Sequence, residues 1–133
     1  MKPLFIVLII LELTLNCSLR STTDANCDKF KNGKFYLQAE LDHTNYVIDR
    51  HDSIQVERNL FNGNINKWKV VWTEPCTYEL WYLPEKPLDS KDSFFMSHAF
   101  VNKILSSTDN YYIFESSMEA NGYKAIDTIF VRK

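Results

Sequence analysis

From residue 30 onward the chain alternates between apolar and polar positions with a period of two. Phe35, Leu37 and Ala39 alternate with Lys34, Tyr36 and Gln38. Trp68, Val70 and Trp72 alternate with Lys67, Lys69 and the less polar Val71. Tyr78, Leu80 and Tyr82 alternate with Thr77, Glu79 and Trp81. Further runs of the same kind cover 46–50, 53–58, 94–104, 111–118 and 125–132. Period-two patterning with β-branched and aromatic enrichment predicts strands, because successive side chains of a strand point to opposite faces. Asn32-Gly33, Asn62-Gly63, Glu74-Pro75 and Asn121-Gly122 are turn dipeptides between these runs, and Asp52-Ser53 and Thr108-Asp109-Asn110 suit turns as well. The stretch 83–91 reads as the longest polar loop, and no segment carries a long helical period. The prediction is an all-β antiparallel meander of about eight short strands. A flat sheet of that length exposes two edges, and closure into a small up-and-down barrel removes them. A two-sheet β-sandwich is the alternative. Eight strands enclose either packed side chains or room for one small ligand.

Residues 1–16 break the pattern. Lys2 is followed by an unbroken apolar run over 4–11, then a more polar stretch that ends at Cys17. This is the layout of a secretory signal, and the run is too short to span a bilayer as a helix. The expected division is a signal peptide over 1–16, a tether over 17–27 and a single β-domain over 28–133. Cys17 has two readings: a lipid-anchored first residue, or a cysteine beside the cut of a released chain. Thr14, Leu15 and Asn16 depart from the small residues that usually precede a lipidated cysteine. The abrupt end of the signal at Cys17 and the polar stretch after it favour the lipid anchor, which also accounts for the odd cysteine among three.

In an oxidising compartment the remaining pair, Cys27 and Cys76, is expected to form a disulfide. It closes a loop of about 50 residues, worth about 4 kcal/mol by chain-entropy arguments. The net charge is −2, and loss of Lys2 and Glu12 with the signal leaves it unchanged. Such a chain lacks the basic face of a nucleic-acid binder.

The stretch 27–83 resembles a family of short envelope lipoproteins of Gram-negative bacteria. The likeness is carried by Cys27 with Phe30-Lys31-Asn32-Gly33-Lys34-Phe35, then Arg50 with Gln55 and Glu57, then Trp72 with Cys76 and Tyr78. It implies export to the cell envelope, at the outer membrane or in the periplasm, and a membrane anchor through lipid on Cys17. The family has no established activity to carry over. Its members are sometimes given a DNA topoisomerase IV name, which an exported, slightly acidic chain of this size contradicts. Gly33-Lys34-Phe35 also resembles the Gly-x-Trp opening of lipocalins, which implies a lipocalin-like barrel.

Arg50, Gln55 and Glu57 form the most interesting polar group. Gln55 and Glu57 share a strand face opposite Ile54 and Val56. Turned inward, that face makes a buried hydrogen-bonded ion pair or a ligand contact with Arg50. Charged residues rarely bury unpaired, so a solvated outer face is the expected placement. Trp72 and Tyr78 join the candidate binding residues. Trp68, Trp72 and the tyrosines otherwise read as core, and Trp81 falls on the opposite face from Tyr78 and Tyr82.

His43, His51 and His98, with Asp42, Asp49 and Asp52 nearby, lack the tight spacing of a zinc site and read as surface residues. His51-Asp52-Ser53 is not a catalytic triad, because neighbours on a strand point apart. The expectation is therefore a non-catalytic protein without a cofactor, a metal site or a nucleic-acid partner. Its partners are the membrane and either an unknown protein or a small hydrophobic ligand.

Overall fold

The computed structural model describes residues 26–39, 43–85 and 90–133. The proposed signal, Cys17 and Asp42 lie outside the described residues. Eight antiparallel strands form the domain: β1 (Gly33–Gln38), β2 (Asn45–His51), β3 (Ile54–Asn59), β4 (Ile65–Glu74), β5 (Thr77–Tyr82), β6 (Phe100–Ser107), β7 (Tyr111–Met118) and β8 (Tyr123–Val131). Each pairs with the next in sequence, and β8 returns to β1 through Phe35–Val131, Tyr36–Phe130 and Leu37–Ile129, so the sheet closes into a barrel. That closing pair of strands excludes the sandwich and makes the small lipocalin-like barrel the fold.

Period two fixes which residues face inward. Phe35, Ile48, Val70, Tyr78, Leu80, Ile104, Tyr112, Phe114 and Ile129 are buried and form one apolar core. Their outward neighbours are partly or fully exposed on every strand.

The two ends of the barrel differ. At one end a short 3-10 helix, Cys27–Phe30, caps the barrel, with Asn26 Oδ1 accepting from the Asp28 amide at 3.3 Å. Cys27 and Phe30 are both buried. Cys27 is bonded to Cys76 in the β4–β5 turn, with Cα atoms 5.3 Å apart. The β2–β3 hairpin turns at this end through Asp52 and Ser53, both with positive φ (47° and 67°). Such angles let a two-residue turn follow the right-handed twist of its strands. At the other end lie the β1–β2, β3–β4, β5–β6 and β7–β8 connections, and among the described residues the interior is left open there.

Gly33 starts β1 with φ +139°. A Cβ there would stand 3.3 Å from Cζ of Phe35, whose ring is locked in the core. Gly33→Ala is expected to cost about 1–2 kcal/mol, read from a urea midpoint that falls at unchanged slope.

One predicted strand is corrected. Residues 94–104 do not form a single strand: Ser90–Ser97 is a helix, α1, and β6 begins at Phe100. The sequence Ser-Lys-Asp-Ser-Phe-Phe-Met-Ser has no amphipathic period to announce a helix, and none of its residues is fully buried. Local bonds hold its last turn instead. Ser97 Oγ donates to the Ser93 carbonyl at 2.8 Å, and the His98 ring Nδ1 lies 2.9 Å from the Phe94 carbonyl. The helix packs against β5, and Phe95 stacks on Phe100 at the rim of the open end, with ring centroids 5.9 Å apart.

Candidate functional site

The inward positions of β2 and β3 carry the polar group singled out in the sequence. Ladder register sets Arg50 opposite Gln55, and Ile48 opposite Glu57. Gln55 and Glu57 therefore face the interior, which corrects the expected solvated outer face; it is Ile54 and Val56 that point outward. The reason is pairing. The charges do not enter the barrel alone, because an ordered chain of hydrogen bonds receives them.

Arg50 is fully buried. Its Nε donates to Gln55 Oε1 at 2.7 Å, Nη1 to the Phe30 carbonyl at 2.8 Å, and Nη2 to the Tyr78 and Tyr112 phenols at 3.2 and 3.3 Å. The two phenol oxygens lie 3.1 Å apart. The guanidinium also sits over the rings of Tyr78 and Phe35, at 4.5 and 5.3 Å from their centroids. Burial pulls the Arg50 pKa down, but the Tyr112 and Tyr78 phenols outweigh it, so the group is held charged more firmly than usual. Burial pushes the Tyr78 phenol well up, with Tyr112 adding to it and Arg50 opposing, so Tyr78 stays neutral. This cluster is the floor of the barrel and ties the 3-10 helix to four strands.

The chain of bonds continues upward. Gln55 Nε2 donates to Glu57 Oε1 at 2.6 Å. Gln55 thus relays between a cation and a carboxylate that do not touch. Burial raises the Glu57 pKa, against the opposing effects of Gln55, Trp68 and Arg50. A carboxyl raised on folding favours the fold most while protonated, below its unfolded pKa, and that benefit is lost as pH climbs through the folded value. Glu57→Gln keeps an acceptor for Gln55 and removes the charge. We expect its melting temperature at neutral pH to exceed that of the native protein, with the difference shrinking in acid. A Gln variant less stable at every pH would contradict this.

Above the floor is a cavity of about 300 Å³ that opens at the far end of the barrel. Its apolar lining includes Leu37, Ile48, Leu80, Phe100, Phe114 and Ile129. Its polar lining includes Gln55, Glu57, Asn66, Asn102, Ser116 and Asp127, with the aromatic Tyr46, Trp68, Tyr78 and Tyr123 between them. Asn102 and Asp127 are as buried as the core. Asn102 Nδ2 donates to the Phe100 carbonyl at 3.2 Å. Trp68 Nε1 is buried without an acceptor in hydrogen-bonding geometry, although the indole lies close enough to Glu57 to favour its ionised form.

Of the candidates read from sequence, Arg50, Gln55, Glu57 and Tyr78 meet in this single network. Trp72 does not reach the cavity. It packs on Tyr78 with centroids 4.8 Å apart near the capped end, under the Lys31 ammonium at 5.6 Å. Trp81 lies on the outer face, its Nε1 donating to Glu79 Oε2 at 2.9 Å. His43 and His51 are exposed, His43 in the β1–β2 connection and His51 at the opposite end of the barrel. Among the described residues no three His, Cys, Asp or Glu side chains gather as a metal site would require.

The sequence reading missed Tyr112, Asn102, Ser116 and Asp127. All four sit on the inward phase of their strands, between core residues: Phe100-x-Asn102-x-Ile104, Tyr112-x-Phe114-x-Ser116-x-Met118 and Asp127-x-Ile129. A polar residue in an apolar phase was the available signal. Compared with known proteins, the chain matches no protein-family model and no curated protein.

Proposed function

We propose that the domain is a non-catalytic, lipocalin-like binding protein that holds a small, largely apolar ligand in the barrel. The observation that carries this reading is the cavity of about 300 Å³ above a rigid polar floor, at the lower end of the size range of small-ligand sites. A barrel of eight strands can be packed solid, and this one is not. The lining supports the same reading: broad aromatic and aliphatic walls with a few placed polar groups are what fix a small molecule's position.

The neutral fluorophore N-phenyl-1-naphthylamine tests it. Its emission is expected to rise on titration with the protein and to stay flat with Ala39→Trp, which fills the cavity near its opening. No rise with the native protein, or an equal rise with the variant, would count against a binding role.

We further propose that the chain is exported to the bacterial cell envelope and anchored there through lipid on Cys17, as the likeness to Gram-negative envelope lipoproteins implies. The signal-like pattern of 1–16 supports export, and a Cys27–Cys76 bridge suits an oxidising compartment. Metabolic labelling with a fatty acid is expected to mark the native chain and not Cys17→Ser. Labelling of both, or of neither, speaks against the anchor. Because the chain enters the domain at the capped end, a tether there leaves the cavity opening on the opposite side.

A further inference from the structure

We propose that the ligand is a neutral alcohol: a small apolar body whose hydroxyl group bridges Asn102 and Ser116 on the cavity wall. This rests on the binding role argued above and names the chemistry of its occupant.

The first argument is the bonds that the wall leaves unmade. Asn102 and Ser116 line the cavity and are only 2% and 8% exposed. The Asn102 amide nitrogen donates to the Phe100 carbonyl at 3.2 Å. A carbonyl only accepts, so the nitrogen side of the amide must face it, and Oδ1 is the end left free. Among the described residues neither Asn102 Oδ1 nor Ser116 Oγ has a hydrogen-bond partner. The carboxyl groups of the lining differ in this respect. Glu57 accepts from Gln55 Nε2 at 2.6 Å, and Asp127 has a protein contact of its own. Buried polar side chains are paired in almost all folded proteins, so the two open groups need a partner from outside the chain.

The second argument is position. Asn102 and Ser116 stand directly opposite each other in the β6–β7 ladder, both on the inward phase. The Cβ atoms of such a pair lie about 5 Å apart, so a single oxygen between them reaches both side chains.

The third argument is the kind of bond on offer. A ligand hydroxyl donates to Asn102 Oδ1 and accepts from Ser116 Oγ with one oxygen atom. An ether oxygen accepts from Ser116 and leaves Asn102 unmet. Displacing water from such a pair loses affinity unless the ligand reproduces its bonds. Neither group is charged, and none of the described lining residues is a Lys, Arg or His that could hold an anion. A charged ligand costs more to take out of water than neutral partners return. The next inward side chains on the same two strands, Phe100 and Phe114, also line the cavity and receive the apolar body.

Four probes of similar size separate these features: 2-phenylethanol, its methyl ether, phenethylamine and phenylacetate. Calorimetry on the purified full chain is expected to find 2-phenylethanol the tightest, by about tenfold or more over the ether. Asn102→Leu is expected to weaken 2-phenylethanol about tenfold and leave the ether unchanged, whereas Ser116→Ala weakens both. The emission of N-phenyl-1-naphthylamine, unchanged in both variants, reports that the cavity is intact. If Asn102→Leu does not fold, Ser116→Ala, which removes one atom, decides by itself. Equal affinity for the alcohol and its ether overturns the proposal, as does full alcohol affinity in Ser116→Ala or tighter binding of either charged probe. If N-phenyl-1-naphthylamine binds and 2-phenylethanol does not, this inference fails and the binding role stands. If neither binds, both fail.

Discussion

Arg50→Met is expected to destabilise the domain by about 3–5 kcal/mol, a large share of the total stability of a domain this size. Methionine fills much of the volume, so the loss comes from the partners left behind. Gln55 Oε1 and the Phe30 carbonyl each lose a charged donor at 2.7 and 2.8 Å inside the core. The two phenols lie 3.1 Å apart and can satisfy only one donor–acceptor relation between themselves. Each orphaned buried group costs about 1–3 kcal/mol. Arg50→Lys should fall between, since an ammonium cannot reach the carbonyl, the amide and both phenols with the spread of a guanidinium. Urea unfolding followed by tryptophan emission reads the effect. Native-like stability in Arg50→Met would mean that the network fills the floor without holding it.

Cys27→Ser is expected to cost about 2–5 kcal/mol. The bridge spans 49 positions and joins the capping helix to the β4–β5 turn. Without it the chain before β1 is held chiefly by Phe30, through its buried ring and its bond to Arg50, with the exposed Lys29–Asp109 ion pair at 2.9 Å and the Asp52 amide donating to Asn32 Oδ1 at 3.2 Å as the weaker ties. Reduction of the native protein should lower the melting temperature by the same amount as the substitution. The effects of Cys27→Ser and Arg50→Met should sum to less than their separate values, because both release the same helix from the barrel floor. Strict additivity would show that the helix is not the shared element. Two free thiols in the denatured, unreduced protein would refute the bridge itself.

The barrel was legible because its physics is local and repeated. Each inward residue declares its face through its immediate neighbours, and the turn residues mark where each strand stops. The helix α1 was not legible, since Phe94-Phe95-Met96 looks the same as a buried strand when no partner is specified. Arg50, Gln55 and Glu57 were recognisable as a group, yet their side of the sheet was misjudged. Composition says that charges avoid the interior, and only the partners arriving from Phe30, Tyr78 and Tyr112 reverse that rule.

Residue patterning by itself determined the class of fold, the phase of the strands whose inward faces are apolar and the cysteine pair, because each depends on neighbours in the chain or on a count; it did not determine the phase of β3. Tertiary structure decided the rest: closure of β8 onto β1, the capped floor, the cavity above it, and the presence of Glu57 and Asp127 on the lining of that one cavity, although 70 positions of sequence keep them apart. Those features are contacts between segments whose separate patterns say nothing about each other, and they exist only once the ring of strands is closed.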